Sequence, residues 1–80
     1  MEVDSLAARL EAVRRARTLT QEGLAARSGV SRVVIARIEA GSNTVPRGST
    51  VRKLAVALGV EPAWLLWGDE GEELLGKAVA

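Results

Sequence analysis

The sequence predicts an all-α fold, with five short helices in one domain over residues 1–68 and a short C-terminal tail over residues 69–80. Apolar residues recur at helical spacing in five separate segments, which is typical of helices that each bury one face. Glycine or proline stands where most of these segments begin or end. No segment has a convincing strand pattern, and 80 residues allow a single small core.

The first helix is expected to begin after an N-cap at Asp4 and to run to about Arg17. Its apolar face has residues spaced i, i+4 and i+7, namely Leu6, Leu10 and Val13. Its polar side carries three charged residues, namely Arg9, Glu11 and Arg15. This pattern places Arg9 away from the core.

Residues 20–40 predict two helices joined by a tight turn. Thr20 is a good N-cap for the earlier helix, and Gly29 suits its end because glycine adopts a left-handed conformation at little cost. Ser31 can cap the next helix only two residues later, so the two helices must cross at a steep angle. The later helix turns two isoleucines inward, Ile35 and Ile38.

Residues 41–48 are predicted as a loop because they contain two glycines and a proline. A fourth helix is expected after an N-cap at Ser49, and Gly59 should end it. Its apolar face comprises Val51, Leu54, Ala55 and Leu58. Pro62 suits the first position of a fifth helix, which Gly68 should close. That helix holds two tryptophans, of which Trp64 is expected in the core.

Composition excludes several classes of function. The chain has no cysteine and no histidine, so it lacks thiolate metal ligands and the commonest general base and zinc ligand. We therefore expect neither an enzyme nor a bound metal or cofactor. No apolar run approaches ~18 residues and the first residues lack the basic stretch of a signal peptide, so we expect a cytoplasmic protein without membrane contact.

Charge is distributed unevenly along the chain. The net charge is only +1, but residues 69–73 hold four of the ten acidic residues. Residues 1–68 therefore carry ten basic and six acidic residues, a net charge of +4. A modest basic excess on the domain suits a dimer that presents it to nucleic acid on one face.

The segment from residue 20 to 41 resembles the helix-turn-helix of the Cro and lambda-repressor-like family of transcriptional regulators, also called the xenobiotic-response-element type. The matching motif consists of Gln21, Leu24, Ala25, Gly29, Val30, Ile35, Ile38, Glu39 and Gly41. The resemblance continues through Pro46, Leu54 and Ala55, residues 57–60 and residues 64–66, and so covers roughly residues 6–68. One departure is Gly23, where the family usually has a glutamate. The resemblance implies a homodimer that places residues 31–40 in the major groove of double-stranded DNA.

Three residues on the outward face of the recognition helix are candidates for reading bases: Arg32, Val33 and Arg37. An arginine can donate two hydrogen bonds to the O6 and N7 atoms of guanine, and a valine can contact a thymine methyl group. An exposed valine beside another valine has little structural explanation, because β-branched residues lower helix propensity.

Five further residues are candidates for contacts with the DNA backbone. Gln21 and Ser31 stand at helix N-termini, where free N–H groups favour an anion. The resemblance implies that Gln21 contacts a phosphate and steadies the recognition side chains, and that Ser31 contacts the backbone. It also makes phosphate contacts plausible for the loop residues Asn43, Thr44 and Arg47. By the same resemblance, Arg14 and Glu39 should form a structural ion pair.

The tail leaves two functions open. Asp69 and Glu72 could cap a short terminal helix that carries apolar residues, namely Leu74, Leu75, Ala78 and Val79. With Trp67, Leu74 and Leu75 are candidates for a dimer contact or for a contact with a partner protein. The sequence thus favours a small homodimeric repressor that reads an inverted repeat. The alternative is an interaction module, such as an antitoxin that docks on its toxin, or a tail that is merely solvated.

Overall fold

The computed structural model describes residues 5–42 and 46–69. This part of the chain contains five α-helices and no strand, which confirms the predicted all-α fold. The helices are α1 (Leu6–Ala16), α2 (Gln21–Ser28), α3 (Arg32–Glu39), α4 (Gly48–Leu58) and α5 (Pro62–Trp67). None of them is long and apolar enough to cross a membrane, a statement that holds for the described residues.

The α2–turn–α3 unit has the local structure that its sequence predicts. The Thr20 hydroxyl oxygen accepts a hydrogen bond from the Gly23 N–H at 2.9 Å, and that of Ser31 accepts one from the Val34 N–H at 3.2 Å. Between the helices Gly29 adopts a left-handed conformation with φ 78°. Both caps satisfy N–H groups that have no partner within their helix.

Two predicted helix starts are wrong. The N-cap of α1 is Ser5 rather than Asp4, because the Ser5 hydroxyl oxygen accepts a hydrogen bond from the Ala8 N–H at 3.1 Å. Helix α4 begins at Gly48 after an N-cap at Arg47, which makes no side-chain capping bond, so Ser49 lies inside the first turn. The two starts differ from the predicted ones by one and two residues, which residue type alone does not exclude.

The core combines all five helices. Its apolar side chains are Leu10, Leu24, Val30, Ile35, Ile38, Val51, Leu54, Ala55, Leu58 and Leu65. Helix α1 packs on α3 and α5, α2 packs on α3 and α4, and α4 packs on α5. Trp64, expected in the core, is half-buried and packs against this cluster at its edge. Helix α3 is therefore packed on its buried side against α1 and α2.

Arg9 is buried, contrary to its expected place on the polar side of α1. Its Nε donates a hydrogen bond to the Leu65 carbonyl at 3.0 Å, and its Nη2 donates one to the Leu66 carbonyl at 2.6 Å. Carbonyls in the last turn of a helix have no partner within that helix, so a guanidinium can satisfy them. Arg9 thereby joins α1 to the C-terminal end of α5, and Arg17 similarly donates to the Leu58 carbonyl of α4 at 3.0 Å.

Candidate nucleic-acid interface

Helix α3 buries one face and exposes the other. Ile35 is fully buried and Ile38 nearly so, whereas the side chains of Arg32, Val33 and Arg37 are exposed. Half of the Val33 surface is accessible. The three residues expected to read bases thus lie on the exposed face of α3.

Val34 is a further exposed apolar residue on α3, and it was not among the predicted contact residues. It lines a shallow depression of about 350 Å³ together with Arg37, Ser42 and Pro46. Pro46 belongs to the α3–α4 connection, so the end of that loop lies beside the C-terminal half of the recognition helix. The sequence signal for Val34 was its place beside Val33 in a run of two valines, of which only Val33 was assigned to the outward face.

Arg14 and Glu39, the residues expected to pair, form a two-pronged ion pair. The Arg14 Nε lies 2.7 Å from Glu39 Oε2, and its Nη2 lies 2.9 Å from Glu39 Oε1. Only 10% of the Arg14 side chain and 5% of the Glu39 side chain are exposed. The pair joins α1 to the last residue of α3, and so fixes the end of the recognition helix relative to the rest of the domain.

Two further hydrogen bonds complete this network. The Arg14 Nη1 donates to the Leu19 carbonyl at 2.8 Å, and the Gln21 Nε2 donates to Glu39 Oε1 at 3.2 Å. The hydrogen bonds to Glu39 raise the pKa of Arg14 above its ordinary value, although burial acts in the opposite direction. Arg14 therefore stays charged throughout the ordinary pH range.

Gln21 is the first residue of α2 and is half-buried. Its hydrogen bond to Glu39 uses one of the two N–H groups of the amide. The same bond restrains the amide next to the N-terminus of α2, where free backbone N–H groups favour an anion. The sequence did not identify Glu39 as the partner of Gln21.

The remaining backbone candidates fall at helix ends or outside the described chain. Ser31 caps α3, and Arg47 is exposed at the N-cap of α4. Asn43 and Thr44 lie outside the described residues. In the α2–α3 turn, Ser28 adds a contact that the sequence did not reveal, because its hydroxyl oxygen accepts a hydrogen bond from the Val30 N–H at 3.1 Å.

The geometry is that of an exposed basic helix rather than of a catalytic cleft. Within residues 5–42 and 46–69, no group of acidic, histidine or cysteine side chains could hold a metal ion. Helix α3 is about 12 Å long and presents arginines and a valine. Such a helix, supported by a second helix across a tight turn, can enter a major groove. The fold and this surface together define a helix-turn-helix DNA-binding domain.

Comparison with known proteins places the chain in a family. A family model described as "Helix-turn-helix" matches residues 10–65. The chain is 42% identical over 65 residues to the HTH-type transcriptional repressor RghR of Bacillus subtilis (strain 168), a match that covers 81% of this chain and 48% of RghR. It is 42% identical over 69 residues to the HTH-type transcriptional regulator PrtR of Pseudomonas aeruginosa, covering 82% of this chain and 25% of PrtR.

Two solved structures share the fold. The DNA-binding domain of the P22 c2 repressor matches with a TM-score of 0.73 and 35% identity, over 86% of this chain and 90% of that one. The restriction-modification controller protein C.AhdI from Aeromonas hydrophila matches with a TM-score of 0.70 and 36% identity, over 80% and 96% of the respective chains.

The chain belongs to the Cro/C1-type helix-turn-helix family of transcriptional regulators, which bind double-stranded DNA and are not enzymes. The resemblance read from the sequence is thus confirmed. The chain spans about half or less of the length of the curated relatives it matches.

Proposed function

We propose that the chain represses transcription as a homodimer that binds an inverted-repeat operator, with one recognition helix of each subunit in a major groove. The observation that carries this proposal is the exposed face of α3, which presents Arg32, Val33 and Arg37 on a helix fixed from behind. Repression is supported by two of the related proteins, RghR and the P22 c2 protein, which are both repressors. Such a regulator would act in the cytoplasm.

In this proposal the three side chains on α3 read the sequence. Arg32 and Arg37 each donate hydrogen bonds to the O6 and N7 atoms of a guanine, and Val33 contacts a thymine methyl group. Each good arginine–guanine pair discriminates against another base by roughly 1–3 kcal/mol. The three residues belong to an eight-residue helix, so one half-site needs only a few adjacent base pairs.

Contacts with phosphates set the register of the domain on DNA. Gln21 has an amide N–H beyond the one that Glu39 accepts, and Ser31 lies at the N-terminus of α3. Arg47 supplies an exposed positive charge after the α3–α4 loop, and Asn43 and Thr44 of that loop remain proposed contacts. These contacts add affinity that falls with salt and is independent of sequence.

A homodimer would place its two recognition helices about 34 Å apart, so the half-sites should lie about one turn of DNA apart. Trp67 is a proposed contact for the second copy, because 59% of its surface is exposed at the end of α5. Leu74 and Leu75 are proposed for the same contact but lie outside the described residues.

Selection of binding sites from random duplex DNA tests this function. The parent chain should enrich an inverted repeat, and the double variant Arg32→Ala, Arg37→Ala should lose it. A matched control removes two exposed arginines from α1 and α4, in the double variant Arg15→Ala, Arg52→Ala. It has the same net charge as the α3 variant and should keep the parental repeat. Equal loss in both variants would show that charge alone, not base reading, drives binding.

The exposed Trp67 also favours a second candidate function, an interaction module in which DNA binding is secondary. A large apolar side chain beside an apolar groove suits a partner protein, such as a toxin held by its antitoxin. A folded parent chain that enriches no DNA sequence would favour this second function over the repressor.

A further inference from the structure

One flank of helix α3 carries a mainly apolar depression beside the exposed face of the helix. Val34, which is 36% exposed, lines it together with Ile38 and Pro46, and Arg37 and Ser42 complete the lining. The depression has a volume of about 350 Å³. Arg37 belongs both to this depression and to the face proposed to read bases, so the two surfaces are continuous.

Helical geometry places Arg37 between two exposed valines. Successive residues of an α-helix are about 100° apart around the axis, so Val33 lies about 40° to one side of Arg37 and Val34 about 60° to the other. Both valines stand about one turn N-terminal to the arginine. A base pair contacted by Arg37 therefore has apolar side chains on both sides, of which only Val33 has an assigned contact.

The major-groove edges of the bases offer one apolar group, the C5 methyl of thymine. A valine side chain suits that methyl because neither group has a hydrogen-bond donor or acceptor. Pro46 adds an apolar surface whose backbone nitrogen carries no hydrogen. Cytosine in the same place would bring its N4 donor against these side chains, and a buried donor without a partner is unfavourable. Val34 and Pro46 thus favour thymine over cytosine.

We propose that Val34 is a further specificity-determining residue, which together with Pro46 contacts the C5 methyl of a thymine next to the guanine that Arg37 reads. This inference rests on the proposed function, because it requires the operator contacts of α3. It adds a second thymine to each half-site, distinct from the thymine that Val33 contacts.

Deoxyuridine substitution in the selected operator tests the proposal. Deoxyuridine pairs as thymidine does and lacks only the C5 methyl group. Each thymine of one half-site is replaced in turn, and the Kd of the full 80-residue chain is measured by fluorescence anisotropy. Burial of one methyl-sized group corresponds to roughly a fourfold change in affinity, so the parent should bind about fourfold more weakly when a contacted thymine is replaced.

Variants assign each methyl group to a side chain. Val34→Ala should lose the deoxyuridine effect at the thymine beside the Arg37 guanine, which is the guanine whose N7 methylation no longer interferes in Arg37→Ala. Val33→Ala should lose the effect at a different thymine. The matched control is Val56→Ala, which makes the same change at a valine that is 74% exposed on α4, and it should keep the parental pattern. Alanine is the best helix former, so all three variants should keep the fold.

The outcomes separate this inference from the repressor function. An operator with no thymine beside that guanine, or an unchanged deoxyuridine effect in Val34→Ala, would overturn the inference and leave base reading by the arginines intact. Equal weakening of Val34→Ala on every duplex would assign Val34 to the sugar–phosphate backbone and would also overturn it. A folded parent chain that enriches no sequence would overturn the repressor function itself, and this inference with it.

Discussion

Replacing Glu39 by alanine removes the centre of the network that holds the recognition helix. The change deletes three hydrogen bonds, two from Arg14 at 2.7 and 2.9 Å and one from Gln21 at 3.2 Å. It leaves the Arg14 guanidinium, 10% exposed, with the Leu19 carbonyl as its remaining hydrogen-bond partner. Stranding one charge of a buried pair costs about 3–5 kcal/mol, and because this pair is slightly exposed we expect the free energy of unfolding to fall by about 3 kcal/mol.

Thermal unfolding followed by circular dichroism at pH 7 measures this loss. For a domain of this size, ~3 kcal/mol corresponds to a fall in Tm of roughly 12 °C or more. The matched control is Glu11→Ala, which breaks the Glu11–Arg15 pair on the surface of α1. In that pair the Arg15 Nη2 lies 2.9 Å from the Glu11 Oε1, but the Glu11 and Arg15 side chains are 40% and 71% exposed. Its loss should therefore lower the free energy of unfolding by about 0.5 kcal/mol or less. A Glu39→Ala chain with the same Tm as the Glu11→Ala chain would refute the reasoning.

Three further predictions concern the fold and the interface. Arg9→Met should lower the free energy of unfolding by about 2 kcal/mol in urea titrations, because two carbonyls of α5 lose a charged donor; unchanged stability would contradict the assigned role. Gly29→Ala should lower the free energy of unfolding by about 1 kcal/mol, because φ at this residue is 78°. Gly48 lies in open space at the start of α4, so Gly48→Ala should leave the free energy of unfolding unchanged or raise it. Equal effects of the two substitutions in the same urea titrations would contradict this account. Arg47→Ala should reduce the salt dependence of operator affinity by about one ion and leave the selected sequence unchanged; a changed sequence would make Arg47 a base-reading residue.

The sequence predicted the α2–turn–α3 unit well because its signals are local. Thr20, Gly29 and Ser31 each act on the few residues next to them, so the residue type is enough. The start of α1 was misplaced because adjacent residues compete for the cap, whereas α4 starts after Arg47 without any side-chain capping bond, so no capping residue marks its start. At α1 the serine that follows Asp4 serves as the N-cap instead, and its hydroxyl bonds to the Ala8 N–H.

The burial of Arg9 could not be predicted from local pattern. Its partners are backbone carbonyls 56 and 57 residues away, and every residue type carries a carbonyl, so no sequence signal marks them. The link from Gln21 to Glu39 is missed for a similar reason, since it depends on how α2 packs against α3. The candidates on α3 were found because helical spacing alone separates Arg32, Val33 and Arg37 from the buried isoleucines.

The most direct test of the central claim, that the exposed face of α3 reads bases, is methylation interference on the selected operator. Methylation of guanine at N7 blocks the atom that an arginine recognises in the major groove. We expect interference at guanines in both half-sites, about one turn apart, and the selective loss of one symmetric pair of these signals in Arg37→Ala. Binding that tolerates N7 methylation, or an interference pattern unchanged in both Arg32→Ala and Arg37→Ala, would contradict the claim.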